Sequence, residues 1–130
     1  MKVRCIRVTD AFGNPILDPN GHPAQADGWL TVGKVYHVLE VSLSSRGTWK
    51  YRILGDKEPT TPALHPISDF EIVSAKVSPT WVVHCEDNDY FELTPQAWAQ
   101  LGFWEQFFDH DPRARRIFDE ERRKIIADDP

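Results

Sequence analysis

The spacing of apolar residues changes once along this chain, and the change falls at Thr94-Pro95. Before it, apolar side chains recur at every second position, the repeat of a strand with one buried face; after it they recur at three and four positions, the repeat of a helix. A chain that alternates first and coils afterwards is restricted to segregated strands and helices, an α+β fold. The first strand is read over residues 2 to 8, KVRCIRV, with Val3, Cys5 and Arg7 on one face. A long turn-rich loop follows over residues 10 to 28, and no internal repeat is read anywhere in the chain. Further strands are expected at Val35 to Val41, at TWKYRIL with Trp49, Tyr51 and Ile53 on one face, and at SDFEIVS. Residues 76 to 93 read as a β-hairpin, with Trp81, Val83 and Cys85 sharing a face and a turn at Asp87-Asn88-Asp89.

The helical part is expected over residues 94 to 130. Thr94 as N-cap and Pro95 at the first helical position predict a helix start. Drawn as one helix, the following stretch puts Ala97, Leu101, Trp104 and Phe108 on a docking stripe and leaves Phe103 and Phe107 to one side. Gly102 in its middle is a place where it breaks into shorter turns. Asp111-Pro112 repeats the start signal and opens a second helix to Ala127, carrying Ala114, Ile117, Phe118 and Ile125 on one stripe. Ion pairs such as Asp119–Arg123 occupy its outer side.

With 130 residues the chain has room for one domain. No apolar run has the length of a membrane helix or signal peptide, so the expected compartment is the cytoplasm, with Cys5 and Cys85 reduced and buried in strands. The net charge of −5 is unevenly spread. Residues 1 to 75 hold eight basic and eight acidic side chains, whereas residues 77 to 112 hold Glu86, Asp87, Asp89, Glu92, Glu105, Asp109 and Asp111 without a Lys or Arg. A phosphate backbone needs the opposite sign, so nucleic acid is not an expected ligand. A basic protein is, because opposite potentials steer encounter.

Reactive side chains occur without the spacing that chemistry needs. His110 lies between Asp109 and Asp111, but Asp111 is better used as a helix cap. His84 and Cys85 are strand neighbours pointing to opposite faces, so they do not form a thiolate–imidazole pair. Asp87-Asn88-Asp89 lacks the glycine and distal Glu of a calcium loop. No catalytic residue, metal ligand or cofactor is assigned. For the crowded aromatics two readings stay open: a core that staples helix to sheet, or a partly exposed interface in which aromatic anchors sit beside unpaired acids.

Two resemblances add to this. The order "LTVGKVYHVLEV", "GTWKYRILGD", "ALHPISDFEIVS" resembles the layout of Src-homology-3-like barrels over residues 1 to 75. That resemblance implies a small barrel and a binding face at Tyr36, Trp49 and Tyr51. The single Trp49 departs from the paired tryptophans of the peptide-binding members. The second half, "W…EDNDYFELTPQAWAQLGFWEQFFDHDPRA…FDEE", is similar in type to small bacterial immunity proteins encoded beside polymorphic toxins. It implies a non-catalytic inhibitor whose partner is a toxin, with Glu86, Asp87, Asp89, Phe103, Trp104, Phe107 and Asp109 as the partner-binding residues.

Overall fold

Eight strands form two antiparallel sheets, followed by two helices, in a computed structural model that describes residues 1–56, 61–86 and 90–130. The smaller sheet has the order β2-β1-β6, built from β1 (Lys2–Cys5), β2 (Val35–His37) and β6 (Phe70–Ser74). The larger has the order β5-β4-β3-β8-β7, from β3 (Glu40–Ser44), β4 (Trp49–Leu54), β5 (Pro62–Pro66), β7 (Trp81–Glu86) and β8 (Tyr90–Pro95). Helices α1 (Phe103–Phe108) and α2 (Pro112–Asp128) close the chain. The α+β class follows as expected. Among the described residues the strands do not close into a barrel, and residues 1 to 75 do not make a sheet system of their own. Strand β8 pairs with β3, Val41 opposite Leu93 and Leu43 opposite Phe91, so the late hairpin completes the larger sheet rather than hanging from it. No helix among the described residues is long and apolar enough to cross a membrane.

The loop of residues 10 to 28 is built from a small repeat. Asp10-Ala-Phe-Gly13-Asn-Pro15 and Asp18-Pro-Asn-Gly21-His-Pro23 share the pattern Asp-x-x-Gly-x-Pro, eight residues apart. In each, the aspartate Oδ1 accepts from two backbone amides, those of Phe12 and Asn14 in the first and of Asn20 and His22 in the second. Each glycine takes a left-handed φ, +82° and +81°, and donates back to its own aspartate's carbonyl. Amides of Ile16 and Ala24 then stitch the turns together through the carbonyls of Val8 and Ile16. The expectation of no internal repeat is corrected.

The change of periodicity is real, but it comes later than Thr94. Thr94 and Pro95 stay in β8, opposite Val82 and Trp81, because the strand ladder outcompetes a helix cap that has only local support. A single 3₁₀ turn, Gln96–Trp98, follows, and Gly102 at φ +77° sets the start of α1. That break resets the helical phase. Residues 103 and 107 then share one face and bury completely, 5% and 0% exposed, while Leu101 is 95% exposed and Phe108 46%. Of the stripe expected from one continuous helix, Ala97 and Trp104 pack against the core, but Phe103 and Phe107 dock in place of Leu101 and Phe108, which face out. Trp98 lies within 5.1 Å of Phe118, and Phe107 within 4.8 Å of Phe118, which joins α1 and the 3₁₀ turn to α2. Asp111 caps α2 as expected, its Oδ1 accepting from the amides of Arg113 and Ala114. Asp119 pairs with Arg122 and Arg123.

Candidate functional site

The larger sheet has an unusual distribution of polarity. Register places Arg52 opposite Glu40 and Glu92 opposite Ser42, so these side chains share one face with Tyr90 and Thr94. Such a face ordinarily meets water. Here the 3₁₀ turn and α1 lie across it, and Glu40, Arg52 and Glu92 are 0%, 7% and 6% exposed. Arg52 Nε donates to Glu40 Oε2, and its guanidinium lies 3.9 Å from the ring centre of Trp104 in α1. The carboxyl of Glu92 is pushed up to about 8, first by burial and then by the hydrogen bond it shares with Glu40. Two carboxyl groups thus lie buried beside one guanidinium, an arrangement that favours the protonated form of Glu92.

Above this cluster, a groove of about 450 Å³ runs between the β7–β8 hairpin and α1. The half-buried rings of Tyr90 and Trp104 line it beside the buried Trp98 and Phe103, while Glu86, Glu92 and Glu105 bring carboxyl groups to it; among the described residues no Lys or Arg lines it. Leu101 projects from its edge. The Trp104 ring, the carboxylates of Glu86 and Glu105 and the exposed Leu101 can receive a cationic side chain together with apolar neighbours.

Of the expected partner-binding residues, the fold brings Glu86, Phe103 and Trp104 to this groove. Phe103 and Phe107 do not serve as exposed anchors, because the phase set at Gly102 turns both inward. Asp109 is exposed beyond the end of α1 and does not line the groove. Asp87 and Asp89 lie outside the described residues. The second expected face is divided: Trp49 and Tyr51 share an apolar groove with Val41, Trp81 and Leu93, whereas Tyr36 is buried in the smaller sheet. There its hydroxyl donates to Asp56 Oδ2 and accepts from the Thr31 amide, both at 2.9 Å.

Cys5 is buried as expected, and burial pushes its thiol up to about 11. Cys85 is exposed, correcting the expected burial, because nothing among the described residues packs on that end of the sheet. His110 takes a left-handed φ of 63° in the α1–α2 connection, where its Nδ1 lies 2.9 Å from an Arg115 guanidinium nitrogen. Among the described residues, the side-chain contact of His110 is with this arginine rather than with a carboxylate that would orient it as a base.

The buried Glu40–Arg52–Glu92 cluster escaped sequence reading for a definite reason. Its members fall on the polar phase of strands whose other phase is apolar, which reads as solvent-facing. The available signal was the aromatic surplus of residues 98 to 108, more ring area than one six-residue helix can bury on itself. No family model, curated protein or solved structure matches this chain.

Proposed function

We propose that the chain is a non-catalytic binding protein that neutralises a basic protein partner, of the kind a bacterial toxin domain presents, through the groove between the β7–β8 hairpin and α1. The observation that carries this reading is the lining of that groove: aromatic side chains and three carboxyl-bearing residues, with no Lys or Arg among the described residues. An arginine or lysine from the partner would stack on the Trp104 side and pair with Glu86 or Glu105, and the exposed Leu101 would meet an apolar neighbour. Asp87 and Asp89 lie within three positions of Glu86 in the sequence and add to the net negative charge of this stretch. The long-range field of the Lys- and Arg-free stretch from 77 to 112 would speed encounter. The test is a titration with the purified product of the gene beside this one, alongside a growth assay in which that product is expressed. Saturable binding and rescue of growth are expected; neither binding nor rescue would refute the reading.

A second reading, an SH3-like peptide-binding module, is supported by Trp49 and Tyr51 on one apolar groove, with Trp49 still 41% exposed. It is carried by the sheet face alone, since Tyr36 sits elsewhere. Loss of peptide binding on Trp49→Ala, with the melting curve unchanged, would favour it over the first.

A further inference from the structure

The face of the larger sheet opposite the buried charges is apolar and partly open. Strand register lines up Trp49, Leu43, Phe91 and Cys85 in one row across four strands, and Tyr51, Val41, Leu93 and Val83 in the next. None of the eight carries a charge. Trp49 is 41% exposed and Val83 61%, and Cys85 is open as well. The rows end at β7, which is the last strand of its sheet and has no strand beyond it among the described residues.

The two edges of this sheet differ in kind. Strand β5 begins and ends with proline, Pro62 and Pro66, which cannot donate to an incoming strand. Strand β7, Trp81-Val-Val-His-Cys-Glu86, contains neither proline nor a Lys or Arg. Its Val82, Val83 and Cys85 are exposed, so its outward N–H and C=O groups sit beside open apolar side chains. An edge in that state is a template for one more strand.

We infer that β7 is a strand-docking site, whose occupant is an extended segment of another protein with apolar residues alternating with basic ones. Apolar side chains of that segment continue the rows beyond Val83 and Cys85. Its intervening side chains fall beside Val82, His84 and Glu86, on the sheet face that carries the acidic groove. Charge selects against a second copy of this chain. Residues 77 to 112 carry seven acids without a Lys or Arg, so two copies paired along β7 would bring like-charged stretches together. The inference builds on the apolar face of the second reading above, and it requires neither a closed barrel nor occupation of the acidic groove.

The experiment pans a phage-displayed library of random dodecapeptides on the full chain, then titrates the synthesised consensus against variants. Expected are an alternating apolar–basic consensus and binding weakened at least tenfold by Val83→Lys or Cys85→Lys, the two side chains of β7 on the apolar face. Glu105→Lys should leave binding within about twofold, and amide exchange should slow over residues 82 to 86 on peptide addition. Val83 and Cys85 are both exposed enough for these changes to leave the fold intact, which the melting curve verifies. No enrichment, a consensus indifferent to both substitutions, or protection confined to other strands would overturn the inference. So would sedimentation showing a dimer that Val83→Lys dissociates, which would give the edge to a second copy. A peptide lost with Glu105→Lys but kept with Val83→Lys would place binding in the groove instead, so the two proposals fail separately.

Discussion

Replacing Phe107 with alanine should cost far more than replacing Leu101, although a single continuous helix drawn through this stretch expects the reverse. Phe107 is 0% exposed and packs against Trp104 at 5.4 Å, Phe103 at 6.3 Å and Phe118 at 4.8 Å between ring centres. The Arg115 guanidinium covers it at 4.0 Å. Emptying such a site removes the transfer energy of the ring and leaves a cavity between α1 and α2, about 3–5 kcal/mol for Phe→Ala. Part of that loss is the edge-to-face and stacked ring contacts, about 0.5–1.5 kcal/mol per pair. Leu101, 95% exposed, should stay within about 0.5 kcal/mol of the native protein. Urea unfolding followed by tryptophan fluorescence reads both. With a slope of about 2 kcal/mol per molar, Phe107→Ala should lower the midpoint by roughly 1.5–2.5 M, and Leu101→Ala should leave it in place. A larger loss for Leu101→Ala than for Phe107→Ala would refute the assigned phase of α1, and with it the covering of the polar sheet face.

Other consequences follow from the same packing. Arg52→Leu strands the fully buried Glu40 carboxylate and should destabilise by about 3–5 kcal/mol in chemical denaturation, well beyond the loss of an exposed ion pair. Because Glu92 is protonated more readily in the folded chain than in the unfolded one, the folded state holds the extra proton between the ordinary carboxylate range and about pH 8. Its contribution is therefore present in full below that range and is lost as pH rises toward 8. Relative to Glu92→Gln, the native protein should lose stability between pH 5 and pH 8.5, and parallel curves would contradict this. Asp111→Ala removes the acceptor for two amides of α2 and should cost about 1 kcal/mol in a thermal melt, with Asp111→Asn keeping most of it. Gly102→Ala should cost about 1–2 kcal/mol by forcing a side chain into φ +77°, although no atom blocks its Cβ.

Much of the architecture is legible in the residues, and the failures have physical causes. Period-two alternation found the strands around Trp49 and Trp81, and Asp111-Pro112 found the start of α2. These signals are local, and local physics decides them. Thr94-Pro95 carries the same helix-start chemistry as Asp111-Pro112, yet it remains strand because β7 lies alongside it, and pairing across the chain is invisible in a local window. Leu101 and Phe108 were misplaced for a related reason: a helical wheel presumes one phase, and the left-handed Gly102 ends one phase and begins another. The groove was half visible. Its carboxylates stand out in the charge map, but the burial of Glu40, Arg52 and Glu92 depends on a helix that crosses the wrong-looking face of the sheet. The Asp-x-x-Gly-x-Pro repeat is so short that composition hid it inside a loop.

The reading of the acidic groove is tested most directly by isothermal titration of the neighbouring gene's product into native protein and two charge reversals. One is Glu86→Lys combined with Glu105→Lys, both exposed residues in the groove lining. The other is Glu71→Lys in the smaller sheet, which removes an exposed pair with Arg4 far along the chain from the groove. Binding should weaken on the order of 100-fold in the groove double variant, through the like charges it places against a basic partner, and change little in Glu71→Lys. Equal affinity of the native protein and the groove double variant would contradict the account.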